Sequence, residues 1–180
     1  MNKVLSKNNL LSCLLILGVT IPVVYSTKAA YSQVGLTPLE LFYSGNRGDN
    51  FTTGTDIGRS SANDAGYSLV RVEGCAFLRQ QPGTVPLLLY YSDLREDNFS
   101  TATTTGVNDA TGAGYRFARV EGYVYPTQQP GTVPLFLYYS DQRGDNFSTA
   151  TTIGVNSAIG AGYRFARLEG YVYPANRCSK

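Results

Sequence analysis

The segment that begins at Pro38-Leu39 begins again at Pro86-Leu87 and at Pro134-Leu135, so a unit of 48 residues is written three times without insertion or deletion. The same register carries Arg47, Arg95 and Arg143, then Asp49-Asn50-Phe51, Asp97-Asn98-Phe99 and Asp145-Asn146-Phe147. Further along it carries Ala65-Gly66-Tyr67, Ala113-Gly114-Tyr115 and Ala161-Gly162-Tyr163, and the tetrapeptides Arg71 to Gly74, Arg119 to Gly122 and Arg167 to Gly170. Three equal units restrict the architecture more than any other feature of the chain. Stacked in a line they would need polar capping units, which are absent. An open propeller uses about four to eight blades. Closure of three units around a common axis meets neither difficulty.

Each unit reads as mostly strand. Its opening, Leu135-Phe136-Leu137-Tyr138-Tyr139, is aromatic and apolar, and the polar stretch from Ser140 to Asn146, with Gly144 in it, supplies a turn. The Thr-rich, alternating segment Phe147 to Thr151 suits a second, half-exposed strand. Small residues from Ile57 to Ala65, ending at Gly66, predict a short helical turn with a glycine cap. Tyr163 to Tyr173 is long enough for two short strands with a bulge or bend at Gly170, and Gln80-Gln81-Pro82-Gly83-Thr84 makes a Pro-Gly turn into the next unit. The expectation is about four short strands per unit plus short helical turns.

Short strands in strict triplicate resemble the β-trefoil, an all-β fold; a β-prism, also threefold, is the second choice. At a finer level the run Leu-Tyr-Tyr-Ser-x-x-Arg-x-Asp-Asn-Phe-Ser-Thr, followed by Gly-Tyr and Glu-Gly-Tyr-Val-Tyr, is similar to a family of secreted bacterial repeat domains. That resemblance covers Thr37 to Cys178 and implies a lectin-like role by analogy between folds. In this chain Asn50, Asn98 and Asn146 stand where that group commonly has histidine, so a His-dependent role has no residue to carry it. The implied organisation is a signal peptide over 1–29 and a β-trefoil domain over 30–180, with repeats 38–85, 86–133 and 134–180.

The leader is read from its own residues. Lys3 and Lys7 precede an almost uncharged run from Leu10 to Val24, followed by Ser26-Thr27-Lys28-Ala29-Ala30. Cleavage frames open after Ser26 and after Ala29, and the second is preferred. A run of about 15 apolar residues interrupted by Pro22 falls short of the roughly 20 that span a bilayer, so no membrane span is expected in the mature chain. Of 15 basic residues, the three leader lysines leave 12 against 13 acidic ones, a near-neutral protein. The arginines alternate with acids and form no basic stripe, so nucleic acid is not an expected partner. Cys75 and Cys178 form an even pair, most simply a disulfide in an oxidising, secreted or periplasmic setting. Closing a loop of about 100 residues contributes up to roughly 4 to 5 kcal/mol in the chain-entropy account.

The chain has no histidine, which removes the commonest general base and the commonest metal ligand. No catalytic residue, no metal site and no cofactor are expected. The Arg-x-Glu-Gly triplets put Arg and Glu on one strand face, where they can pair. The Arg-x-Asp-Asn-Phe turns suit sugar hydroxyls, through carboxylate and amide contacts, a guanidinium fork and a nearby aromatic face. The candidate carbohydrate-binding sets are therefore Arg47, Asp49, Asn50 and Phe42; Arg95, Asp97, Asn98 and Tyr90; and Arg143, Asp145, Asn146 and Tyr138. Three weak sites on one chain would raise avidity for a multivalent glycan by roughly 10² to 10⁴. The expected partners are glycans or, as the alternative, an extracellular protein bound by a structural or inhibitor-like module. Arg47-Gly48-Asp49 and Arg143-Gly144-Asp145 spell an adhesion tripeptide, but Glu96 interrupts it in the second unit, which points to the turn alone being kept.

Overall fold

Apolar and aromatic residues make the opening segment of each repeat the middle one of three antiparallel strands; the first two repeats join into one six-stranded sheet and the third forms a three-stranded one. In the computed structural model of the chain, which describes residues 35–178, the first repeat runs β1 (Leu36–Ser44), β2 (Asp49–Thr53), α1 (Asp56–Asp64) and β3 (Ser68–Phe77). The second runs β4 (Val85–Ser92), β5 (Asp97–Thr101), α2 (Thr104–Gly112) and β6 (Arg116–Val124). The third runs β7 (Val133–Ser140), β8 (Asp145–Thr149), α3 (Thr152–Gly160) and β9 (Arg164–Val172), with a 3₁₀ turn at Ala175–Arg177. In each repeat the first strand lies between the other two. The expected leader, 1–29, lies outside the described residues.

The fold is all-β in its sheets, with nine strands and three short helices among the described residues. That is three strands per repeat where about four were expected. The difference falls on the segment read as two strands. Leu135 pairs with Gly170 and Phe136 with Leu168, so Glu169 is an extra residue in a bulge and pairing resumes beyond it. Glu73 and Glu121 bulge in the same way. Gly122 and Gly170 hold φ of 149° and 155°. A Cβ there would sit 3.0 Å from Ala76 Cβ and 2.8 Å from the Tyr125 carbonyl oxygen, respectively. Glycine therefore bends the strand without ending it, and lets a neighbouring repeat's backbone approach closely.

Those approaches tie the sheets together. Phe77 pairs with Tyr123, Tyr125 with Tyr171 and Cys75 with Tyr173, so each repeat meets both others. One core cluster takes two residues from every repeat: Leu39 and Ala76, Leu87 and Val124, Leu135 and Val172. Three further clusters each join the aromatics of one repeat to a leucine of the next. Phe42, Phe51 and Tyr67 hold Leu89; Tyr90, Phe99 and Tyr115 hold Leu137; Tyr138, Phe147 and Tyr163 hold Leu41. Burying each such leucine contributes about 1.5–3 kcal/mol. No repeat fills its own core, so the three fold together.

Each helix is short and fixed at its start by threonine. Thr55, Thr103 and Thr151 accept a hydrogen bond from the amides of Gly58, Gly106 and Gly154 at 3.0 Å. A disulfide joins Cys75 in β3 to Cys178, 103 residues on, and fastens the C-terminal tail to the first repeat. Among the described residues no helix is long and apolar enough to cross a membrane.

Candidate functional site

The hairpin turn between the first two strands of each repeat delivers Asp49, Asp97 and Asp145 to a common point. Each of the three is 2% exposed, and one carboxylate oxygen from each lies within 4.8 Å of the others. Neighbouring repeats supply the donors. Asn98 donates from Nδ2 to Asp49 Oδ2 at 2.8 Å and from its amide to Oδ1 at 3.3 Å. Asn146 donates likewise to Asp97 at 2.7 and 3.1 Å, and Asn50 to Asp145 at 2.7 and 3.0 Å. The phenols of Tyr67, Tyr115 and Tyr163 donate to Asp49, Asp97 and Asp145 in turn.

Three buried acids this close cannot all stay ionised. Burial, with the hydrogen bond and charge of Asp97, pushes Asp49 up to about 10. Burial and the charge of Asp97 push Asp145 up to about 7. Burial and the facing carboxylates raise all three tyrosines as well, keeping their hydroxyls protonated donors. A hard cation is the other way to neutralise such a cluster. Calcium takes about six to eight oxygen ligands, and magnesium demands near-octahedral geometry with its own waters. Each carboxylate of the triad already accepts three hydrogen bonds, from an asparagine side chain, a backbone amide and a phenol, so the donor set suits shared protons better.

The bulged glutamates take a different course. Glu121 is fully buried; its Oε1 accepts from Arg119 Nε at 2.6 Å, and its Oε2 accepts from Thr53 Oγ1 at 2.6 Å, Gly54 N at 3.1 Å and Thr55 Oγ1 at 3.0 Å. Glu73 does the same with Arg71 and the segment Thr149 to Thr151, and Glu169 with Arg167 and the segment Thr101 to Thr103. Each glutamate thus pairs with the arginine two residues back, as the strand alternation predicts, and also caps the turn before a neighbouring repeat's helix.

Outside these acids, a cleft opens at each boundary between repeats. The first, of about 240 Å³, takes Arg47, Phe51 and Tyr67 from one repeat and Tyr91, Ala118 and Arg119 from the next. The second, about 340 Å³, repeats the set with Arg95, Phe99, Tyr115, Tyr139, Ala166 and Arg167. The third, about 320 Å³, has Arg143, Phe147, Tyr163, Tyr43, Val70 and Arg71. The two guanidinium groups of each cleft lie over its two rings. Arg47 sits 5.8 Å from the Tyr67 centroid and Arg119 5.5 Å from that of Phe51. The helix supplies one more wall residue, which is Ser61 in the first cleft, Asp109 in the second and Ser157 in the third.

Only part of the expected site lines these clefts. Arg47, Arg95 and Arg143 do, as do Asn50, Asn98 and Asn146, though each amide is already committed to an aspartate. Asp49, Asp97 and Asp145 face one another and leave no carboxylate for sugar hydroxyls. Phe42, Tyr90 and Tyr138, expected as stacking faces, are 3%, 6% and 6% exposed, so that expectation is corrected: they are core. The signal for this was present, because phenylalanine replaces tyrosine at the first of these positions and the hydroxyl is therefore dispensable there. The neighbouring residue is tyrosine in all three repeats, and Tyr43, Tyr91 and Tyr139 are the half-buried rings that line the clefts.

Neither a curated protein nor a solved structure matches the chain. A family model matches residues 38–173, reaching into all three repeats, and on that match the chain belongs to DUF5648, a domain of unknown function.

Proposed function

We propose that the protein is an exported, non-catalytic carbohydrate-binding module with up to three similar sites, one at each cleft between repeats, on a trefoil-like threefold scaffold. The observation that carries the reading is the recurrence, at all three boundaries, of a half-buried tyrosine flanked by two arginines in a cleft of 240–340 Å³. A tyrosine ring offers an apolar face for a pyranose, and an arginine offers a planar fork for its oxygens. Each site would be weak alone and gain by linkage to the other two when the glycan is multivalent. Export is supported by the leader-like run before Ala30 and by the Cys75–Cys178 disulfide, which suits an oxidising compartment.

The test is a glycan array probed with the mature chain, followed by titration of any hit against Tyr43→Ala, Tyr91→Ala and Tyr139→Ala. Each substitution is expected to weaken binding about tenfold, in line with the roughly 1–3 kcal/mol that stacking on one ring is worth in other recognition systems. A folded chain that binds no glycan removes the reading.

A further inference from the structure

The three clefts are alike in shape but not in charge, and the difference lies in one helix position. In the second cleft Asp109 Oδ2 accepts from Arg167 Nη1 at 2.5 Å, while Arg167 Nε holds Glu169 at 2.8 Å. That guanidinium is therefore engaged on both sides by the chain's own carboxylates. The equivalent helix residue is Ser61 in the first cleft and Ser157 in the third. Both serine hydroxyls turn back along their helices, donating to the carbonyls of Ile57 and Ile153 at 2.8 Å.

Arg119 and Arg71 consequently hydrogen-bond to one carboxylate each, Glu121 and Glu73, through Nε alone. Their Nη2 atoms are buried and have no hydrogen-bond partner. The nitrogen that Asp109 reaches in the second cleft is Nη1, and in the first and third clefts no carboxylate of the described residues reaches that atom of Arg119 or Arg71, which leaves it to a charge-assisted bond with an anion in the cleft. Arg47 and Arg143 add a second positive charge to the same two clefts, and Arg143 makes no ion pair among the described residues. The carboxylate that reaches Arg47 is Glu96, at 3.9 Å.

We infer that the first and third clefts select a saccharide bearing a carboxylate, which takes the place that Asp109 fills in the second, and that the second cleft is closed to such a ligand by its own aspartate. The inference rests on the proposed carbohydrate-binding role and gives it a substrate class. Asp109 is the reason to name a carboxylate instead of a sulfate, since it shows which oxyanion this wall accommodates. The tyrosine at each cleft, Tyr91 in the first and Tyr43 in the third, would carry the sugar ring while the two arginines hold its acid group.

The experiment titrates the mature, disulfide-bonded chain by calorimetry with a panel of uronate- and sialate-containing oligosaccharides, each beside its methyl ester and beside a sulfated neutral counterpart. The expected result is binding of at least one free acid at two sites per chain, with a tenfold or greater loss on esterification. Asp109→Ser copies the residue found in the other two repeats, so it leaves the fold intact, and it should raise the stoichiometry to three. Ser61→Asp should lower it to one. Equal binding of acid and ester at three sites overturns the inference and leaves the carbohydrate-binding reading standing. Preference for the sulfated sugar overturns the choice of carboxylate. Binding of no saccharide at all overturns both.

Discussion

Two sets of buried acids hold the repeats together, and they solve the same electrostatic problem in opposite ways. Glu73, Glu121 and Glu169 are bulged out of the third strand of each repeat, and each meets an arginine and a ladder of threonine and amide donors. Asp49, Asp97 and Asp145 start the second strand of each repeat and meet one another. Both sets bridge adjacent repeats but in opposite senses, each aspartate accepting from the repeat that follows it and each glutamate from the one that precedes it, with the third repeat leading back to the first. What separates them is whether the three copies meet. The glutamates form three separate ion pairs, each satisfied by local partners. The aspartates form a crowd, in which burial and the charge of Asp97 raise the proton affinity of Asp49 and Asp145.

The largest effect that would break this comparison is loss of a glutamate. Glu121→Ala strands the Arg119 charge and leaves Thr53 Oγ1, the Gly54 amide and Thr55 Oγ1 without their acceptor. The expected loss is about 3–5 kcal/mol, as for other broken buried pairs. Urea unfolding of the variant with its disulfide intact measures it. A loss under about 1 kcal/mol would mean that the ladder is ornamental and that the two acid sets do not differ in kind.

The aspartates predict a dependence of opposite sense. Folding raises Asp145 from 3.8 to about 7 and Asp49 further, to about 10. A carboxylic acid raised on folding contributes stability that is full below its unfolded value and is lost as pH climbs through its folded one. Stability should therefore fall between about pH 4 and pH 10, with both acids contributing up to about pH 7 and Asp49 alone beyond it, by up to about 1.4 kcal/mol per pH unit for each proton held by the fold alone. Asp145→Asn removes one of the acids and should flatten that fall, so that the variant matches or exceeds the parent at the alkaline end. Thermal unfolding across this range with a chelator present reads both slopes. A parent whose stability rises with pH, or rises on adding calcium, would show that a cation and not a proton neutralises the triad.

Much of this architecture was legible in the repeat itself. Its strict period pointed to closure, the glycine after each small-residue segment marked a helix end, and the Arg-x-Glu spacing predicted the ion pairs. The strand count was less legible, because Gly170 reads equally well as a break or a bulge. Which of the two it becomes depends on pairing with Leu135 in a segment far along the chain. The site was least legible for a related reason. Asp and Asn in a turn look available to a ligand, and only the closure of three copies reveals that Asn98 is already taken by Asp49 and Asn146 by Asp97. The same closure brings together arginines and tyrosines of different repeats, which no spacing within one repeat can place.

The smallest effect concerns the turn that carries the triad. Gly48 and Gly144 hold φ of 69° and 68°, and their amides donate to Ser44 and Ser140 at 2.8 Å. Glu96 takes the same place in the second repeat with φ of 52°, the only non-glycine residue with positive φ among the described residues. A side chain in that region costs about 1–2 kcal/mol, partly offset by the greater freedom that glycine has in the unfolded chain. The ion pair with Arg47, at 3.9 Å and with the Glu96 side chain 60% exposed, returns little. Glu96→Gly is therefore expected to stabilise the protein by about 0.5–1 kcal/mol. Glu96→Lys keeps the backbone strain and removes only the ion pair, so it should bring no gain. If the lysine variant is instead as stable as the glycine one, the burden lies in the carboxylate's nearness to the aspartates and not in the backbone. The crowding of the three aspartates would then reach out into the turn that delivers Asp97.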